Sequence, residues 1–166
     1  IALFLLIFEY TDSEFLLGVL FTVRMLCFAL LQPISGLLAD RMNRKHIMIA
    51  SNVLQVFLAL CFLGVNGSED IWWMLALSGV MMLLHGAYVT AERAALPNIV
   101  PEEHLATANA LDAASWSSAL CIGAMLGGVV VEFYGVDAAF IIDSLTFLLS
   151  AILLITITLP QTVGNE

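Results

Sequence analysis

Three charged residues stand inside long apolar stretches of the sequence: Arg24, Asp112 and Asp143. If the stretches are helices crossing one apolar layer, Arg24 lies about 13 Å and Asp143 about 9 Å from the same edge, at 1.5 Å of rise per residue. A charge at this depth needs a partner, so we expect Asp143 to be the counter-ion of Arg24. The alternative is that Arg24 binds backbone carbonyl groups in a packed helix interface.

Asp112 and its neighbours are the other polar groups within the apolar stretches. Asp112 follows Asn109 and lies about 9 Å from the start of its stretch. A carboxyl group away from water holds a proton readily, so Asp112 is a candidate proton carrier, with structural hydrogen bonding as the alternative. His85 is followed three residues later by Tyr88, and the pair either lines the path of a small molecule or is an interior histidine with one satisfied bond.

The composition shows what kind of element must position these groups. Of 166 residues, 61% are hydrophobic and 11% are charged, and the mean hydropathy is +1.02. This excludes a soluble enzyme and a disordered segment, and five Lys and Arg residues are too few for a nucleic-acid partner. Neither a hydrolase motif nor a phosphate loop occurs, and each of the three cysteines stands alone. We therefore expect no enzyme, no cofactor and no metal ion.

The apolar stretches are long enough to cross a bilayer, which takes about 20 residues. A shorter apolar run at 1–10 without a starting Met predicts a truncated first helix. The sequence thus predicts an all-α, polytopic membrane helix bundle at 1–159, with 160–166 as a cytoplasmic tail or linker. The five complete spans are predicted at 15–38, 46–66, 71–91, 106–131 and 137–159.

The basic residues indicate how the bundle is oriented. Arg41, Arg44 and Lys45 follow one span, and Arg93 lies on the same side, beside Glu92 and shortly before Pro97. By the positive-inside rule this side faces the cytoplasm, so both ends of the bundle are predicted to be cytoplasmic.

Small residues predict where two helices approach closely. Gly123 and Gly127 are spaced by four residues, and Gly128 widens the same face. In lipid such a face allows tight packing of two helices. A cofactor-binding glycine loop is the weaker interpretation because no strand precedes it.

The loop from Gly36 to Lys45 combines a glycine, Asp40 and three basic residues in a fixed order. Marking the cytoplasmic side is one interpretation. The order also resembles the signature between the second and third helices of the major facilitator superfamily. The runs 93–101, 108–111 and 139–147 are similar to the enterobactin-exporter and macrolide-efflux branch of that family.

The resemblance implies a transporter of twelve helices in two halves, of which this chain is the N-terminal six-helix half. It implies that Gly36, Asp40, Arg41, Arg44 and Lys45 belong to a gating loop, and that the C-terminal half and a small-molecule substrate are partners. We expect proton-coupled efflux of a hydrophobic drug or siderophore-like molecule across a bacterial inner membrane. The alternatives are a lysophospholipid transporter of the same fold and a non-transporting membrane anchor.

Overall fold

The computed structural model describes residues 2–65 and 67–158, and these form helices and no strand. The predicted tail at 160–166 lies outside the described residues. Four single turns of 3-10 helix connect longer helices, at Phe62–Gly64, Ser68–Asp70, Leu96–Asn98 and Glu102–His104. The α-helices are α1 (Ala2–Thr11), α2 (Glu14–Arg41), α3 (Arg44–Cys61), α4 (Ile71–Ala95) and α5 (Leu105–Thr156).

Polar side chains mark where two of the helices begin. Ser13 precedes α2 and accepts a hydrogen bond of 3.4 Å from the backbone N–H of Leu16. Asn43 precedes α3 and accepts one of 3.2 Å from the N–H of His46. Each cap satisfies a backbone donor that the first turn of a helix leaves without an internal partner.

The helix α5 has 52 residues and contains one residue with a non-helical backbone, Gly135, at φ 83° and ψ 172°. This conformation is accessible to glycine and strained for residues with a Cβ. A straight helix of this length would extend about 78 Å, more than twice the thickness of a hydrocarbon core of about 30 Å. Gly135 divides α5 into segments 105–134 and 136–156, and it lies between the predicted spans 106–131 and 137–159.

Four helical stretches within the described residues are long and apolar enough to cross a membrane, while α1 is a shorter apolar helix. The prediction of an all-α membrane helix bundle is confirmed. The division into six spans stays a prediction. The four stretches are Glu14–Arg41, Arg44–Gly64, Ile71–Asn98 and Glu102–Thr156.

Two sets of contacts hold the helices together. In one, α2 lies against α4. In the other, α3 lies between α4 and the 136–156 segment of α5. The rings of Phe62 and Phe140 stack with centroids 5.0 Å apart in the larger core cluster, which also contains Ile7, Leu20 and Met74. The 105–134 segment is different, because nearly all of its side chains are exposed within the described part of the chain.

Candidate functional site

Arg24 is half-buried where α2 meets α4. Its Nη2 atom donates to Sδ of Met82 at 3.4 Å. Asp143, an exposed residue of α5, interacts with Arg24 electrostatically. The two side chains nevertheless make no N···O contact within 4.0 Å, since the ion pair found among the described residues is His104 with Glu103. The predicted counter-ion is thus close enough to act on Arg24 but does not contact it.

Side chains from α2 and α4 form a row of contacts between the two helices, and Arg24 lies at one end of this row. Phe28 and Gln32 follow Arg24 at intervals of four residues and therefore lie on the same face of α2. The rings of Phe28 and His85 have centroids 6.3 Å apart. The Thr90 hydroxyl lies 3.2 Å from Oε1 of Gln32 and 2.8 Å from the carbonyl oxygen of Gly86, and its one proton is donated to either acceptor. We call this surface the α2–α4 seam; its residues are Arg24, Phe28, Gln32, Met82, His85 and Thr90.

Two glycines of α4 allow α2 to approach this closely. A Cβ placed on Gly79 would lie 3.2 Å from Sγ of Cys27, and one on Gly86 would lie 3.5 Å from the Phe28 ring. The sequence analysis did not identify these positions. Their spacing of seven residues, two helical turns, was the available signal.

The predicted packing glycines have a different environment. An added Cβ at Gly123, Gly127 or Gly128 would meet no atom within 4 Å in the described part of the chain. Close packing at this face therefore stays a prediction.

Asn109 and Asp112 lie on the exposed 105–134 segment of α5. The Asn109 amide donates to the carbonyl oxygen of Leu105 in its own helix, at 2.9 Å. Asp112 interacts electrostatically with Glu92, near the end of α4. Asp112 therefore lies near the α4–α5 connection. Arg93 and Pro97 of this connection are also exposed.

The loop between α2 and α3 contains two cations that bind helix ends. Arg44 donates to the carbonyl oxygen of Ala94 at 2.6 Å and to that of Ala39 at 3.3 Å. Lys45 donates to the carbonyl oxygens of Ile155 and Ile157 at 2.9 and 2.7 Å. Because the last carbonyls of a helix lack internal partners, both cations complete the ends of neighbouring helices. Asp40 and Arg41 are exposed and Gly36 is half-buried.

Polar residues of α3 also make contacts that the sequence analysis missed. Asn52 donates to the Ser150 hydroxyl at 2.8 Å, and Gln55, which is 2% exposed, donates to the carbonyl oxygen of Met81 at 3.5 Å. Tyr88 lies near Ser150 as well. Uncharged polar residues within an apolar span were the signal that could have indicated these contacts.

The fold and the seam together define a polytopic membrane protein with charged side chains held between its helices. The family model described as Major Facilitator Superfamily matches residues 1–166. The chain therefore belongs to the major facilitator superfamily.

Curated relatives agree with this family. The chain is 30% identical over 134 residues to an uncharacterized MFS-type transporter, YfiS of Bacillus subtilis, covering 78% of this chain and 31% of the relative. It is 28% identical over 144 residues to the multi-drug resistance efflux pump PmrA homolog of Lactococcus lactis, covering 87% and 35%.

A third relative is the multidrug resistance protein MdtG of Serratia proteamaculans, 29% identical over 127 residues, which cover 76% of this chain and 30% of the relative. The chain spans about a third of the length of these relatives. No solved structure matches it.

Proposed function

We propose that this chain belongs to a secondary active transporter that exports hydrophobic, drug-like molecules from a bacterial cell. The observation that carries the proposal is the half-buried Arg24 in the α2–α4 seam of a superfamily member. A charge held inside a bundle in lipid is expensive and is typical of a substrate or ion path. Two relatives are named for multidrug resistance, which favours a drug over a siderophore-like molecule as the cargo.

We further propose that these residues form the N-terminal half of the transporter, with six spans and both ends in the cytoplasm. A second six-helix half would complete a substrate site at the interface between halves. The coverage of about a third of each relative supports this proposal. In this arrangement Asp40 and Arg41 remain available for gating contacts, because both are exposed beside the anchored Arg44.

Proton coupling is the third part of the proposal, with Asp112 and Asp143 as the candidate carriers. Both carboxylates are exposed within the described residues, and each has a charged side chain near it: Glu92 for Asp112 and Arg24 for Asp143. Neither side chain is covered by the described helices, so both are available to a facing half. This accessibility is what a proton carrier needs when the protein alternates between its two sides.

The test is efflux of a fluorescent lipophilic dye from bacterial cells that lack their own efflux pumps and express the full-length gene product. We expect faster efflux than in cells with the empty vector, and loss of efflux when a protonophore collapses the proton gradient. Asp112→Asn or Asp143→Asn should abolish the dependence of efflux on pH, whereas the matched control Asp137→Asn should not. Dye retention equal to the empty vector, with the protein present in the membrane, would refute drug efflux.

A further inference from the structure

We propose that Arg24 binds the carboxylate group of an amphipathic organic anion and that the α2–α4 seam holds the apolar part of the same molecule. This inference deepens the proposed function, on which it rests, by naming a substrate class. It concerns the electric charge of the cargo, about which the printed names of the relatives say nothing.

The first observation is the poor pairing of the Arg24 guanidinium. A guanidinium has five N–H donors, and the acceptor found for it among the described residues is the thioether of Met82. A thioether sulfur is a weak acceptor. Because a desolvated cation is costly without strong acceptors, this site favours a ligand that supplies them.

A carboxylate has the geometry that such a site requires. Its two oxygens accept parallel hydrogen bonds from the planar fork of an arginine, at about 2.7 to 2.9 Å. Asp143 does not occupy this position, because it makes no ion-pair contact with Arg24. It acts on Arg24 from a greater distance. The guanidinium therefore keeps N–H donors that a carboxylate from another molecule can satisfy.

The rest of the seam suits an apolar body attached to that carboxylate. Phe28, Met82 and His85 lie beside Arg24 and provide two rings and a polarizable thioether. Farther along, the Thr90 hydroxyl lies 3.2 Å from Oε1 of Gln32 and 2.8 Å from the carbonyl oxygen of Gly86. The seam thus offers one cation, an apolar middle and a polar end at Gln32 and Thr90, which matches an amphipath with a single anionic group.

The competition between Asp143 and a bound carboxylate makes the proposal more specific. Both anions stabilise the same guanidinium, so removing the charge of Asp143 strengthens binding of the substrate anion. Protonation of Asp143 would thus raise the affinity for the substrate anion. Exchange of that anion for a proton requires protonation to lower the affinity instead. For an anionic cargo, Asp143 therefore has the wrong sign for the exchanged proton, and Asp112 is the remaining candidate carrier.

The experiment compares three probes with one fluorophore and one alkyl chain. These are dansylamino-undecanoate, its neutral primary amide, and the matched dansylamino-undecyl trimethylammonium cation. The full-length gene product is reconstituted into phosphatidylcholine liposomes, which keep anionic lipid away from Arg24. We expect the carboxylate probe to have a KM about tenfold lower than the cation probe.

Arg24→Gln should raise the KM for the carboxylate about tenfold or more, and by a larger factor than the KM for the amide or the cation. Arg24→Lys should retain part of the affinity, because lysine keeps the charge but loses the fork. Asp143→Asn should lower the KM for the carboxylate. The matched control is Arg93→Gln, which removes an exposed cation outside the seam and should change none of the three.

Preference for the cation, or an equal effect of Arg24→Gln on all three probes, would overturn the inference while leaving the proposed function intact. Binding measured by dansyl fluorescence separates the remaining outcomes. If no probe is transported but the purified protein binds the carboxylate through Arg24, the proposed function fails and the anion site stands. If the carboxylate is neither transported nor bound, the anion site is refuted.

Discussion

Asn52 donates a hydrogen bond of 2.8 Å to the Ser150 hydroxyl and so joins α3 to the 136–156 segment of α5. Asn52 is 3% exposed, and Tyr88 of α4 lies near the same hydroxyl. Three helices therefore meet at one serine. In lipid the hydrophobic effect does not drive helix association, so polar contacts of this kind contribute directly to how the helices are held together.

We predict that Asn52→Ala and Ser150→Ala each lower the free energy of unfolding. Their double-mutant cycle should give a coupling of about 0.6 kcal/mol, and no more than about 1.7 kcal/mol. Reversible unfolding in mixed micelles provides the measurement. The matched control is Ser117→Ala, because Ser117 bonds to the Ala113 carbonyl of its own helix and is exposed. A coupling of zero would show that the Asn52–Ser150 bond contributes nothing.

Lys45→Gln should destabilise the end of α5, because it removes the cation that binds the Ile155 and Ile157 carbonyls. The expected loss is about 0.3 to 1 kcal/mol of unfolding free energy. Lys45→Arg should recover most of it, since arginine keeps the charge and the donors. Arg41→Gln is the control, as Arg41 is an exposed cation of the same loop. Equal losses from both glutamine variants would assign the effect to loop charge rather than to the bond.

Gly79→Ala should loosen the packing of α2 on α4, because the added Cβ would lie 3.2 Å from Sγ of Cys27. We expect Gly79→Leu to cost about 1 to 3 kcal/mol through overpacking. Thermal unfolding should show a smaller cost of Gly79→Ala in a Cys27→Ala background than in the original chain. Gly18→Leu serves as control, since no atom lies within 4 Å of a Cβ there. An unchanged cost in the Cys27→Ala background would argue against the contact.

Gly135→Ala should cost about 1 to 3 kcal/mol, because φ 83° and ψ 172° strain a residue with a side chain. Gly18→Ala lies inside α2 and should instead stabilise by about 0.5 to 1 kcal/mol. The opposite signs, measured by unfolding of the two variants, distinguish a backbone requirement from a general preference for glycine. A stabilising Gly135→Ala would mean that α5 continues as a regular helix through this residue.

Arg24 illustrates what the sequence could predict about the site. Its depth in an apolar span predicts a charge in need of a partner, and Asp143 acts on it electrostatically without an ion-pair contact. The pairing of the two stays a prediction. The contact with Met82, 58 residues away, was not predictable. Which side chains meet across two helices depends on how each helix is rotated about its axis, and this follows from packing rather than from local sequence pattern.

The glycines illustrate the same limit for the fold. Four-residue spacing predicts a face on which two helices approach closely, and it selects Gly123 and Gly127. Spacing alone does not say which helix comes near, and in the described residues the close neighbours are found at Gly79 and Gly86. The helix starts are more local, since Ser13 and Asn43 act within one turn of their own positions, although neither cap was predicted.

The contact between Lys45 and Ile155 forms late during synthesis of the chain. Its partners are separated by 110 residues, so the ribosome needs about 5 to 20 s between adding the lysine and adding its acceptor. Throughout that interval the ammonium group has no α5 end to bind. Among the contacts of the described residues it is therefore one of the last to form, and a nascent bundle that pauses before residue 155 lacks it.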